Sequence, residues 1–180
     1  MIMGIITESL GWLLVSFIAI CLFSLVFCVL SFAPWVPTRG RDLKRIFELA
    51  GLKSGQLFYD LGCGGGQTVF YAARNFKARA IGVEFSLPLF LICCLKNLFY
   101  GHGLASFKFK NLYNENLAAA DAVYFFGMPY RVNEAFKHKL KAEMKPGAKI
   151  ISYSFAFPGW TPAAVSKPSD KDLAVYLYVV

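Results

Sequence analysis

An apolar run, Leu57-Phe58-Tyr59, ends on the carboxylate of Asp60, and glycines then stand at 62, 64 and 66 before a helical pattern opens at Gln67. No other stretch constrains the chain as much. It reads as a strand, a tight turn and a helix N-terminus, with backbone bare enough of Cβ atoms to press against a ligand. The dinucleotide fingerprint G-x-G-x-x-G does not fit, because its third glycine would fall on Gln67. An acid ahead of the first glycine would also repel a pyrophosphate. It suits a cationic group instead.

That preference matches the amino-acid end of S-adenosylmethionine, so the stretch reads as a methyl-donor loop. Asp60 is expected to accept from the donor's amino group or from the loop itself, an Asx-type turn being the alternative. Gly62, Gly64 and Gly66 are expected to let backbone approach the ligand. Glu84 ends the next strand at a spacing that puts a carboxylate over ribose hydroxyls, an exposed strand-end glutamate being the alternative. Asn111 ends a third strand, where it either meets the adenine or simply forms a turn.

Around this loop the pattern alternates. A helix over 43–50, capped by Thr38 or Asp42 and closed at Gly51, precedes the first strand. Helices are expected at 67–74, 87–100 and 132–144, and strands at 80–84, 106–110, 122–126 and 150–155. A loop over 158–172 leads to a final strand at 173–180, expected antiparallel at the sheet edge. Continuous apolar strands alternating with helices give an α/β class: a mostly parallel, Rossmann-like sheet with helices on both faces. Ligands in such sheets bind beyond the C-terminal strand ends. The segment after the fourth strand therefore supplies acceptor-slot candidates, Phe126, Gly127, Pro129 and Tyr130, with Tyr113 from the third. Aromatic walls there would desolvate an amine and depress its pKa. The aromatic, proline-rich stretch 157–162 is expected on the same rim, as a wall or a lid.

Residues 10–32 carry no charge and are long enough to cross a hydrocarbon layer. A cleaved signal peptide is the competitor, but no Lys or Arg precedes the run and its apolar core is too long. The expected division is an anchor over 1–33 and a catalytic domain over 34–180. Only Glu8 is charged before residue 34, so the chain's net +8 becomes +9 for the remainder. Arg39, Arg41, Lys44 and Arg45 follow the span, which places the domain in the cytosol. Pro34 and Trp35 mark the exit. Lys137, Lys139, Lys141, Lys145 and Lys149 read as a solvated basic face able to touch headgroups. Five cysteines and two histidines show no metal-ligand spacing, so no metal is expected.

Taken together and in order, these elements resemble the membrane-anchored protein-lysine methyltransferases that modify the c-ring protein of ATP synthase and the adenine nucleotide translocase. The residues that carry the resemblance are Pro34-Trp35-Val36-Pro37, Asp60 with Gly62, Gly64 and Gly66, Gly82 with Glu84, Phe126-Gly127 with Pro129, and Pro158, Trp160 and Pro162. Two departures stand out. Gly65 replaces an acid usual in that family's loop, and Asn111-Leu112-Tyr113 replaces Asp-Leu-Trp. The resemblance implies a class I fold, S-adenosylmethionine as cofactor and a membrane-protein lysine as acceptor. Without an Arg-rich presequence, a prokaryotic inner membrane is the expected location. A lipid or quinone-like acceptor, or a scaffold without turnover, are the alternatives. Nucleic acid is not expected as a partner, because no recognition motif accompanies the charge.

Overall fold

The computed structural model describes residues 2–31, 36–128 and 132–180. Pro34, Trp35, Pro129 and Tyr130, all named above, lie outside them.

A long first helix, α1 (Ile2–Ser31), contains an apolar stretch, Ile6–Ser24, of mean hydropathy 2.0, with Glu8 as its single charge. Among its described side chains, those of residues 6–23 stand exposed, Trp12 at 72%, with Cys21 half-buried. α1 meets the helix that begins at Leu87, where Ser24 Oγ accepts the Leu87 N–H at 2.9 Å.

The remainder alternates strand and helix. In chain order it runs α2 (Leu43–Ala50), β1 (Leu57–Leu61), α3 (Gln67–Phe76), β2 (Arg79–Glu84), α4 (Leu87–Tyr100), β3 (Ala105–Phe109), β4 (Ala122–Phe125), α5 (Glu134–Glu143), β5 (Lys149–Tyr153), β6 (Ala164–Ser166) and β7 (Val175–Val179). The seven strands lie in the order β3-β2-β1-β4-β5-β7-β6. The pairings among β1 to β5 are parallel, and β7 runs antiparallel to β5. This is the expected Rossmann-like sheet, with one correction. The last strand is antiparallel but not at the edge. Three residues inside the expected loop, β6, pair with β7 and take the edge position. Three residues between Pro162 and Pro168 are too few to show a period of two.

Side chains alternate across the sheet and build a core on each face. Phe58, Tyr124, Ile151 and Val175 point to the face covered by α2, α3 and Cys93 of α4. Tyr59, Leu61, Val123, Phe125 and Ile150 point to the face covered by α5 through Phe136 and Leu140.

Helix ends follow local chemistry. Gly51 closes α2 at φ +56°. Asn133 caps α5 by accepting the Phe136 N–H at 2.9 Å, which starts that helix two residues later than expected. Asp42, expected as a cap, makes no capping bond. It instead accepts the Tyr153 hydroxyl at 2.5 Å and pairs with Arg45 at 3.0 Å, tying α2 to β5. Thr38 shares a 2.7 Å hydrogen bond with the Tyr124 hydroxyl.

Candidate active site

The C-terminal ends of β1, β2 and β4 open onto a cavity of about 820 Å³. Pairing places Asp60 beside Gly82 on one neighbour and Tyr124 on the other. Both Asp60 and Glu84 are buried at the cavity wall, at 3% and 7% exposure.

The glycine loop hangs between β1 and β2. The N–H groups of Gly62 and Cys63 both donate to the Val83 carbonyl, at 2.9 and 3.1 Å. The Gly66 N–H donates to the Cys63 carbonyl at 2.8 Å, which turns the chain into α3. From α4, Cys93 Sγ donates to the Gly64 carbonyl at 3.1 Å, and Lys96 Nζ reaches the Gly65 carbonyl at 3.3 Å. Two glycines are needed for different reasons. Gly62 has φ +89° and a Cβ there would meet nothing within 4 Å, so its bare face looks into open space. Gly66 has φ +77°, and a Cβ would strike the rings of Phe107 at 2.9 Å and Phe70 at 3.0 Å. Gly82 matters to the loop as well, because a Cβ on it would lie 2.6 Å from Cys63 Sγ. The hydrogen bond with Cys93, and burial, push the Cys63 thiol well above its usual pKa, which makes it an inert packing group.

The carboxylates are held differently. Asp60 accepts the Thr68 hydroxyl in a short hydrogen bond. Burial raises its pKa to about 7; Thr68 opposes the rise and the nearby Glu84 charge adds to it. Glu84 accepts three backbone N–H groups: Gly64 at 2.7 Å on Oε2, and Phe85 at 2.9 Å and Ser86 at 2.7 Å on Oε1. Burial raises its pKa, and those backbone bonds pull it back. Two desolvated carboxylates on one wall favour a cationic guest. A bare glycine backbone facing open space beside them suits the amino-acid end of S-adenosylmethionine, so the residues fit that cofactor.

Of the other expected residues, Asn111, Tyr113 and Phe126 line the cavity. Asn111 also forms the turn, its Oδ1 accepting the Tyr113 N–H at 3.0 Å. Phe126 packs edge-on against Tyr153, ring centroids 4.8 Å apart. Gly127 follows, buried, and does not line the cavity; a Cβ there would meet the Phe125 ring at 2.2 Å. The stretch at 157–162 is not on this rim. Phe157 is buried in the opposite core, stacked on Tyr178 at 5.1 Å and touching Trp160 at 5.3 Å.

The basic face at 137–149 also needs correction. Lys137 and Lys139 are buried, donating to the carbonyls of Pro158 at 2.9 Å and Glu115 at 2.5 Å. Lys145 pairs with Asp121, Lys149 donates to the Ala50 carbonyl, and Lys141 lies over the Trp160 ring.

Thr68, Tyr124, Thr38, Phe85 and Lys96 also line or brace the cavity, though the sequence pattern does not mark them as site residues. Tyr124 carries no sequence signal that links it to the site. The β1–β4 register, Asp60 opposite Tyr124, puts it on the same face as Asp60.

Known proteins agree with this geometry. Residues 60–164 match the ANTKMT methyltransferase domain. A protein-lysine N-methyltransferase of Saccharolobus islandicus is 35% identical over 82% of this chain and 93% of its own length. A lysine N-methyltransferase of Rattus norvegicus, named for the c-ring protein of ATP synthase, is 32% identical over 72% of this chain, which spans 59% of that longer relative. The crystal structure of an RNA methyltransferase from Salinibacter ruber with S-adenosyl-L-homocysteine superposes with TM-score 0.75 at 28% identity, covering 80% of this chain and 93% of that one. The chain accordingly belongs to the ANTKMT methyltransferase-domain family and is an S-adenosylmethionine-dependent methyltransferase.

Proposed function

We propose that the chain is a protein-lysine N-methyltransferase held in a membrane by α1, acting on a lysine of a membrane protein close to the bilayer surface. The observation that carries the reading is the pair of buried carboxylates, Asp60 and Glu84, flanking a bare glycine loop in one cavity. Relatives named for lysine methylation of an ATP synthase component support the acceptor class. α1, with Glu8 as its one charge, supports residues 1–33 as the single-pass anchor of a catalytic domain over 34–180, and Arg39, Arg41, Lys44 and Arg45 beyond it support the cytosolic side of what we read as a prokaryotic inner membrane.

In this reading Asp60 and the Gly62–Gly64–Gly66 backbone hold the donor's amino-acid end, Glu84 a ribose hydroxyl and Asn111 the adenine edge. When bound, S-adenosylmethionine supplies an electrophilic methyl group. The chain's work is then positioning and dehydration. Tyr113 and Phe126 line the slot where an amine would approach, and Pro129 and Tyr130 belong to the same segment. Apolar walls favour the neutral amine over its charged form, which frees the lone pair for in-line attack.

Membranes from a strain lacking the protein, incubated with the full chain and labelled donor, provide the test. Label on a lysine of a membrane protein, lost with Asp60→Ala, is expected. Label confined to lipid extracts or to RNA would overturn the acceptor class. No transfer to any fraction would leave a scaffold without turnover.

A further inference from the structure

Helix α4 is apolar on both sides. One side packs on the sheet through buried Leu89 and Cys93. The other carries Leu91, Ile92, Leu95, Leu98 and Phe99, exposed at 40, 43, 63, 78 and 73%. These positions fall at i, i+1, i+4, i+7 and i+8, a single continuous stripe. Phe85 and Phe109, stacked 5.8 Å apart and both exposed, extend the patch onto the β3 edge of the sheet. An apolar surface of this extent marks an interaction site.

We propose that this face of α4 docks into the same bilayer that α1 crosses, as an interfacial helix. The inference rests on the reading of α1 as a membrane span and extends it. Continuity identifies the occupant. The Leu87 end of α4 is bonded to Ser24, which lies inside the uncharged apolar run of residues 10–32 rather than at its end. α1 then continues to Ser31, on the order of 10 Å further along its axis at about 1.5 Å per residue. A bilayer that contains this run to the end of α1 therefore reaches past the start of α4 by about that distance. The resulting depth matches the roughly 5–10 Å to which interfacial helices bury their apolar face. Charge agrees as well. Lys96, exposed on α4 itself, puts a cation beside the patch for anionic headgroups. Because Phe85, Lys96 and Tyr100 also line the cavity, docking would open it next to the headgroups, where a membrane protein's lysine lies.

The test uses the full chain in vesicles of phosphatidylcholine and phosphatidylglycerol, with photoreactive benzoylphenylalanine placed in turn at Leu98, at Val15 in α1 and at Val165 on the far sheet edge. Lipid adducts at Leu98 and Val15, each roughly tenfold above Val165, are expected for a face seated at that depth. Adducts at Val15 without adducts at Leu98 would overturn the docking and leave the anchor standing. Cross-links from Leu98 to a second copy would overturn it too. Lipid adducts at neither position would remove both readings.

Discussion

Glu84 fastens the glycine loop to the next strand: its Oε2 accepts the Gly64 N–H at 2.7 Å, twenty residues back in sequence. Its Oε1 already takes two N–H groups, from Phe85 and Ser86. A carboxylate oxygen offers two lone pairs, so Oε2 is the atom with capacity left for a ligand hydroxyl. One side chain thus both shapes the loop and presents an acceptor to the cavity.

Glu84→Gln puts an NH₂ group where a third acceptor contact is needed. One backbone N–H is left facing a donor, at a cost of about 1–3 kcal/mol. Thermal unfolding should register that loss. Donor affinity should fall at the same time, by roughly tenfold for about 1.4 kcal/mol.

Asp60 links stability to pH. Its carboxyl is raised from 3.8 to about 7, so the folded chain holds that proton more tightly than the unfolded chain. Stability is then greatest below the lower value, falls as pH rises between the two, and levels off above about 7. Asp60→Asn should flatten this decline and make the ligand-free protein more stable at pH 8, as melting curves across the range would show. The same variant should bind the cationic donor weakly at every pH. In the parent chain, affinity should rise through neutrality as the carboxylate ionises.

Gly62 and Gly66 separate conformation from space. Gly62→Ala should cost about 1–2 kcal/mol for a left-handed backbone and weaken donor binding, because its methyl enters the cavity. Gly66→Ala adds a collision with Phe107 and Phe70, worth a further 1–3 kcal/mol or so. Denaturant titration of the two variants should rank Gly66→Ala as the less stable.

Lys139→Ala should behave as a core mutation. Removing the buried ammonium leaves the Glu115 carbonyl unpartnered and frees Glu143, which also accepts the Leu117 N–H. A loss of about 2–3 kcal/mol is expected for hydrogen bonds to a charged group. An effect below 0.5 kcal/mol or so, typical of surface positions, would contradict this placement.

Much of this architecture could be read from the chain because local signals agreed. The Leu57–Thr68 stretch combined an apolar run, an acid and spaced glycines, and α4 begins and ends where its pattern says. What failed depended on distant partners. Lys137 and Lys139 look like a solvated charge run, and only Pro158 and Glu115, brought from other loops, make them interior. Trp160 carries an aromatic signal but no direction, and it packs on Tyr178 in the core opposite the cavity. The exposed stripe of α4 is visible in its composition, yet its sequence cannot say which of two apolar faces meets the sheet.

Calorimetric titration of S-adenosylmethionine into the full chain in detergent, alongside Asp60→Ala and Glu84→Ala, tests the central claim most directly. The parent chain should bind, and both substitutions should weaken binding by at least roughly tenfold, about 1.4 kcal/mol each. Equal binding by all three folded proteins would contradict that claim and place the donor elsewhere.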